Sequence, residues 1–348
     1  MIEAVLLALG VGLIFVTVLS EVRVDIWWVR IWDFPRYHVA VAGLAVFIGL
    51  VAVGNWSGWT IGVLFVLAGA IGYQGSRIFP HFPVANTEVM DAQGGEETVT
   101  FSVLTANVLQ ENRRGDDFLG LIREFDPDIF FAVETDEWWT STLQELEDDY
   151  PYGIRYPLDT TYGMALYSRL ELIDAEIRFL VDEEIPSIHA FVPLANTQVS
   201  LHAVHPDPPN PKYATETTER DAELLIVGRE AQAYDGPSVV IGDFNDVAWS
   251  HTSRLFRRVS GLVDPRIGRG FYNTFHAEWP LFRWPMDHIY HSTHFRLAHL
   301  ERGRYFGSDH FPMYAELEFG PEATAEQTEP TADSGEETET AEKIVDAK

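Results

Sequence analysis

Five short stretches of this sequence set acidic, amide or imidazole side chains where an apolar run ends. They are VLTANV with Asn107, DIFFAVET with Glu134, SLHAVHPDPPNP with His202 and His205, SVVIGDFNDVAW with Asp243 and Asn245, and a split pair, Asp287 in RWPMDHIY and Asp309–His310 in GSDHFP. Strand ends that face loops are where α/β folds carry binding and catalysis. Each stretch also has a plain structural reading. Asn107 alone suits a turn or a cap. Glu134 follows five apolar residues. A carboxylate leaving a core strand costs desolvation unless it is paired, hydrated or metal-bound, and an ordinary salt bridge would serve as well as a cation.

The two histidines of the third stretch separate by position. His202 lies inside an alternating run and reads as a packed, hydrogen-bonded strand residue. His205 ends that run, ahead of prolines that cannot continue a ladder, and is the better candidate for binding a ligand. In SVVIGDFND a period of two puts Asp243 and Asn245 on one face and Phe244 on the other. Gly242 permits another segment to approach closely, and an Asx-turn opening the next helix accounts for Asp246. A buried Asp hydrogen bonded to a His orients the ring and holds its charge, so Asp287 and His310 would form an acid–base pair if they meet. The spacing of His288, His291 and His294 raises zinc, but on a strand His291 points away from the other two.

These groups need strands to hold them, and the pattern from 98 to 320 supplies them. TVTFSVLTANV, PDIFFAVE, GMALYSR, QVSLHAVH and SVVIGDF read as strands, and 311–319 as a closing strand with Phe311, Met313, Ala315, Leu317 and Phe319 alternating. DDFLGLIREF, EWWTSTLQELEDD and 215–233 read as helices. SVVIGDF is almost unbroken in apolar residues, as expected of a strand covered on both faces. The alternation predicts an α/β or α+β sandwich with helices outside the sheets.

Taken together and in order, Asn107, Glu134, His205, GDFND, Asp287 and GSDHFP resemble the endonuclease/exonuclease/phosphatase superfamily, and GMALYSR is similar to that family's central strand. The resemblance implies a deoxyribonuclease-I-like fold over 98–320, a four-layer sandwich of two packed β-sheets flanked by helices. It implies a hydrolase acting on phosphoester bonds, with Glu134 as principal carboxylate ligand of Mg²⁺ (Mn²⁺ also accepted) and Asn107 and Asp309 beside it. It further implies that Asp243 and Asn245 align the water and the phosphoryl oxygens, that His205 donates to a non-bridging oxygen, and that His310, held by Asp287, is the acid–base imidazole. Whether His310 or Asp243 takes the proton of the water stays open.

Residues 1–80 are a different material. The stretches 1–20, 38–56 and 59–79 are each near the ~20 residues that cross a bilayer, predicting a membrane anchor of three transmembrane helices. Trp27, Trp28, Trp32, Trp56 and Trp59 fall near the proposed ends, where indoles favour the interface. Arg23, Arg30, Arg36 and Arg77 put the first loop and the catalytic domain on the cytoplasmic side under the positive-inside tendency; with only two spans the domain would lie on the other side. A polar linker, 81–97, follows. The segment 321–348 has almost no large apolar residues and is expected to be an acidic disordered tail.

Composition narrows the partners. No cysteine means no disulfide, no thiolate zinc site and no cysteine nucleophile. A formal charge of −29 argues against a protein that coats nucleic acid. Between 251 and 304, however, nine arginines face four acids, a patch that either receives phosphate oxygens or pairs with the acidic remainder. The expected partners are a phosphoester substrate and the lipid bilayer, with no obligate protein partner. The substrate is a nucleic-acid phosphodiester or, alternatively, a phospholipid headgroup or inositol phosphate. A non-catalytic membrane-bound binding protein is the reading from another class, and polar candidates at every expected position weigh against it.

Overall fold

Helices that are apolar all round have no side to offer water, and the first eighty residues form three of them. In the computed structural model, which describes residues 1–95, 98–208, 216–320 and 322–347, α1 (Ile2–Leu19) is followed by a short α2 (Trp27–Arg30) running into a 3₁₀ turn (Ile31–Asp33). Then come α3 (Arg36–Val53) and α4 (Gly58–Ile78), which begins at Ser57, whose side chain accepts from the Thr60 N–H. α1, α3 and α4 are each long and apolar enough to cross a membrane. They pack through Val46, Leu50, Val63, Leu64 and Leu67, while Phe15, Ile48 and Phe65 stand exposed on the outside.

The remaining elements are β1 (Val99–Asn107), α5 (Gly115–Phe125), β2 (Ile129–Val133), α6 (Glu137–Leu143), β3 (Tyr152–Tyr156), β4 (Met164–Ser168), β5 (Ile173–Arg178), β6 (Ser187–Leu194), β7 (Thr197–Val204), α7 (Thr218–Ala233), β8 (Ser238–Asp243), α8 (His251–Ser260), β9 (Asp287–His291), β10 (Phe295–Arg302) and β11 (Met313–Phe319). They make a six-stranded sheet, β10-β11-β1-β2-β4-β3, and a five-stranded sheet, β5-β6-β7-β8-β9. Alternation along the strands explains the layers. Val103, Phe131, Leu201, Val239 and Ile241 meet between the sheets. Leu104, Phe130 and Ala132 turn outward onto Phe118, Ile122 and Trp139 of α5 and α6. Val240, Phe244 and Tyr290 turn onto Leu224, Val227 and Phe256 of α7 and α8. Both faces of each sheet are thus covered, which is why the central strands read as continuous apolar runs.

The expectation of a disordered tail needs correction, and of the two alternatives for the arginines the structure favours pairing. The arginines of 251–304 are mostly committed to internal partners: Arg257 to Glu88, Arg258 to Glu336, Arg266 to Asp264, Arg269 to Asp91, Arg296 to Glu322 and Glu326, and Arg304 to Glu124. The linker docks as well, with Val89 in the inter-sheet core and Asp91 bridged to Leu297; its residues 96–97 lie outside the described residues. The acidic tail forms α9 (Ala323–Glu326) and α10 (Ser334–Asp346). Asp333 and Glu336 close a capping box on α10, and its Ile344 packs against the cluster of Leu225, Leu255 and Val259. Lys343 lies 2.6 Å from Asp25 and 3.0 Å from Asp221. Charge pairing to distant segments supplies what composition lacks.

Candidate active site

Strand direction brings the candidate residues together. β1 pairs parallel with β2 and β7 with β8, so Asn107, Glu134, His205 and Asp243 leave their sheets at one edge of the sandwich. β9 runs antiparallel to β8 with Asp287 opposite Asp243, and β11 antiparallel to β1, so Asp287, Asp309 and His310 arrive at that edge from the other direction. At Gly242 a Cβ would sit 1.9 Å from the Val204 carbonyl oxygen at φ +142°, so only glycine lets β8 lie this close to β7. Glu134 and Asn245 hold left-handed conformations, at φ +62° and +50°. Strained non-glycine residues of this kind persist where the surroundings over-determine them.

Asp243 is the hub. His310 Nδ1 donates to Asp287 Oδ2 at 2.7 Å, and its Nε2 lies 3.6 Å from Asp243 Oδ2. His205 Nε2 lies 3.9 Å from the same oxygen. Across the gap between the sheets, Asn107 Nδ2 donates to Asp243 Oδ2 at 3.2 Å and to Glu134 Oε1 at 2.8 Å. The Asn245 N–H donates to Asp243 Oδ1, and its amide donates to the Pro206 carbonyl, both at 2.9 Å. Seven of the sequence-derived residues therefore join through these contacts. Asp309, the eighth, lines the same cavity with a buried, unpartnered Oδ1.

The two imidazoles beside Asp243 differ in charge. Burial works against charging His310, but Asp287 and Asp243 overcome it and raise the ring to about 10. Burial holds His205 down at about 4, more than Asp243 raises it. Burial also pushes Asp243 up, and raises Glu134 to about 7 against the hydrogen bond from Asn107. The arrangement thus offers one protonated donor, one neutral ring and a carboxylate short of positive charge.

Ligand-type atoms of Asp243, Asp287 and His310 lie within 4.8 Å of one another, near enough to share a metal ion. The Asp287–His310 hydrogen bond already occupies part of that set. Glu134 accepts one hydrogen bond at each oxygen, from Asn107 and from the Gln110 N–H, and Asp309 keeps Oδ1 without a partner among the described residues. Asn107, expected among the metal ligands, donates from its amide nitrogen to Glu134 and Asp243 and accepts from the Leu109 N–H at its oxygen, so it also positions both carboxylates. His288 is committed through both ring nitrogens, to the Asp246 carbonyl and to Tyr290, whereas His291 uses only Nδ1, on the Ser292 carbonyl. His202 bonds Ser200 inside the sheet.

Sequence reasoning missed the supports and the roof. Ser308 bridges the Asn107 carbonyl and the His310 N–H. The Phe275 ring lies 4.9 Å from that of His310. Arg220, buried in α7, donates to the Asn245 carbonyl. Above these groups lies a cavity of about 880 Å³, whose far wall includes Trp27, Ile31, Trp32, Phe34 and Pro35. That wall is fastened to the domain by Arg30 on Thr252, Trp249 on the Asp33 carbonyl, and the Thr217 N–H on the Asp25 carbonyl.

Two packed mixed sheets with polar groups gathered at one edge define a deoxyribonuclease-I-like sandwich. The model of the endonuclease/exonuclease/phosphatase family matches residues 104–310, more than half of the chain, and the chain belongs to that family. A comparison with curated proteins returns no match. Among solved structures, the human nocturnin catalytic domain with bound sulfate is 18% identical, with TM-score 0.52 over 63% of this chain and 94% of that one. D. rerio TDP2 complexed with a single-strand DNA product is 16% identical, with TM-score 0.51 over 63% and 98%. The Bacteroides vulgatus endonuclease/exonuclease/phosphatase is 19% identical, with TM-score 0.52 over 63% and 99%. At these identities the likeness concerns the fold. Members of the family are phosphoester hydrolases that depend on a divalent metal ion.

Proposed function

We propose that this protein is a membrane-embedded phosphodiesterase that uses Mg²⁺, with Mn²⁺ as a substitute, and cleaves its substrate by attack of water. The observation that carries the reading is the Asp287–His310–Asp243 chain, joined through Asn107 to Glu134 across the two sheets. An oxygen-only donor set at Glu134 and Asp309, with Asp309 Oδ1 buried and unpartnered, fits a hard cation. When bound, such an ion neutralises charge developing on the phosphoryl oxygens. Asp287 fixes the His310 ring, and His310 and Asp243 together orient the attacking water and manage its proton. Asn245 and neutral His205 stand ready to donate to non-bridging oxygens. The three apolar helices are read as bilayer spans, with α2 and the domain on one side; arginines at those ends favour the cytoplasm.

Most arginines of 251–304 are internally paired, which favours a small or amphiphilic phosphodiester. A nucleic-acid strand remains the second reading, because Arg283 and Arg302 flank Phe311, next to His310, without carboxylate partners among the described residues. The test uses the full chain in non-phosphorus detergent with bis-p-nitrophenyl phosphate and a single-stranded oligonucleotide, with Mg²⁺ or EDTA. We expect metal-dependent diester hydrolysis that His310→Ala and Glu134→Ala abolish. Full activity in both variants, or no hydrolysis of any diester, would sink the proposal.

A further inference from the structure

The cavity above Asp243 has two unlike halves. Its floor is polar, with Asn107, Glu134, His205, Asp243 and His310; its far wall is indole and hydrocarbon, with Trp27, Ile31, Trp32 and Phe34, joined by Phe282 and Trp284 from the opposite side. The wall residues come from the segment linking α1 to α3, and Pro35 directly precedes Arg36, the first residue of α3. The wall therefore begins at the level where the apolar helices end.

The opposite side reaches the same level. His38, in the first turn of α3, bonds the Leu281 carbonyl at 2.5 Å and stacks on Phe282 at 5.6 Å between ring centroids. The tip of that loop leaves Leu281 78%, Trp279 59% and Phe282 49% exposed, and Trp28, next to the wall residue Trp27, is 50% exposed. Large apolar side chains this exposed are costly in water and, around a pocket mouth, mark a surface that something apolar covers. Here they lie beside the ends of the helices read as spans, the depth at which indoles settle in a bilayer.

Resting on the phosphodiesterase reading, we infer that the cleft opens onto the membrane and that its substrate is a phospholipid taken from the adjoining leaflet. The phosphodiester lies on the polar floor and the upper acyl chains along the Trp27–Trp32–Phe34 wall. A volume of about 880 Å³ is near the upper end of the ~300–1,000 Å³ usual for small-ligand sites. That is room for a headgroup and the first part of the chains, with the remainder still in the bilayer. A nucleic-acid strand in the same place would have to strip water from its charged backbone against indole rings. The chemistry balances with water alone. The water oxygen bonds to phosphorus as the P–O bond to the lipid alcohol breaks; one proton ends on the released alcohol and the other on the new phosphate.

The experiment measures kcat/KM of the full chain on alkyl p-nitrophenyl phosphodiesters from methyl to decyl, below micelle-forming concentration, and on phosphatidylcholine and phosphatidylglycerol vesicles. Each methylene that reaches the wall should raise kcat/KM about fourfold, and vesicle lipid should be cleaved. Trp32→Ala, and on the other wall Phe282→Ser, should lower the decyl-to-methyl ratio at least tenfold; the ratio separates loss of the wall from loss of fold. A flat chain-length series with the methyl ester still hydrolysed, or an oligonucleotide cleaved faster than the decyl ester, overturns the lipid inference and leaves phosphodiesterase chemistry standing. No hydrolysis even of the methyl ester rejects that chemistry, and the lipid inference with it.

Discussion

The floor and the roof of the cleft are built by opposite means. The floor draws on residues from Asn107 to His310, carried to one edge by the register of two sheets, and it is made of charge and hydrogen bonds. The roof is a single run, residues 27–35, made of rings and hydrocarbon and held down by ion pairs that lie behind it. Register tolerates no slip, because a shift of one residue turns every side chain to the other face. The roof has no ladder to fix it. Its position depends on Arg30, which is buried with Thr252 at 2.6 Å and Asp221 and Asp33 at 3.8 and 4.0 Å. The lesson is that precision in this cleft comes from strands, whereas the apolar wall facing the polar groups is a segment that strands do not hold.

Breaking the floor should have the largest effect. His310→Ala is expected to lower kcat by about 10³-fold, within the range for loss of a positioned acid–base imidazole, with a smaller loss of divalent-ion affinity than Glu134→Gln gives; calorimetric titration checks the second half. Breaking the roof comes next. Arg30→Met removes the charged hydrogen bond to Thr252, while Asp221 keeps Arg220 and Lys343 and Asp33 keeps Arg36; it should cost about 2 kcal/mol of stability, read as a lowered thermal midpoint with greater acrylamide quenching of tryptophan fluorescence.

Removing the carboxylate proposed to hold the metal is a smaller step. Glu134→Gln should weaken Mg²⁺ binding about 100-fold and cancel the rise in thermal midpoint that Mg²⁺ gives the wild type. The mildest perturbation sharpens the contrast between the two imidazoles. The native His205 value of about 4 lies below the ordinary ~6.5, so only the unfolded ring takes up a proton between those limits. The unfolded state then binds more protons, and stability is lost as pH falls through 6.5 toward 4, by about 2–3 kcal/mol. Comparing wild type with His205→Asn at pH 7 and pH 4.5 isolates this contribution; a difference that does not change with pH would rule it out.

Much of the floor was legible in the sequence because the signal is local. An apolar run that ends in Glu134, His205 or Asp243 marks a strand end, and the period of two that separates Asp243 from Phe244 reappears as one residue in the cleft and the other under α7 and α8. That Asp287 and His310 would meet was only a conditional reading. Their 2.7 Å hydrogen bond needs both antiparallel registers, which no single stretch encodes. The roof was not legible for a different reason. Trp27, Trp28 and Trp32 read alike as interfacial indoles, yet Trp27 and Trp32 turn to the cleft while Trp28 faces outward. A four-residue helix running into a 3₁₀ turn is too short to show a period. The tail misled and the arginine patch stayed ambiguous, since composition counts charges without showing that Arg258 meets Glu336 or that Lys343 meets Asp221.

Lys343 also carries a consequence for how the chain is made. It reaches Asp25 across 318 positions of sequence, so segments on either side of the two sheets are tied to the same helix, α7. During synthesis Asp25 emerges well before the strands of the floor, and Lys343 only after them. The Thr217 N–H can fasten Asp25 before α10 is made; the lysine cannot. Closing so long a loop carries an entropic cost that only the finished fold offsets. A ribosome that stops after β11 therefore releases a protein with its floor complete and its roof held by one clasp fewer.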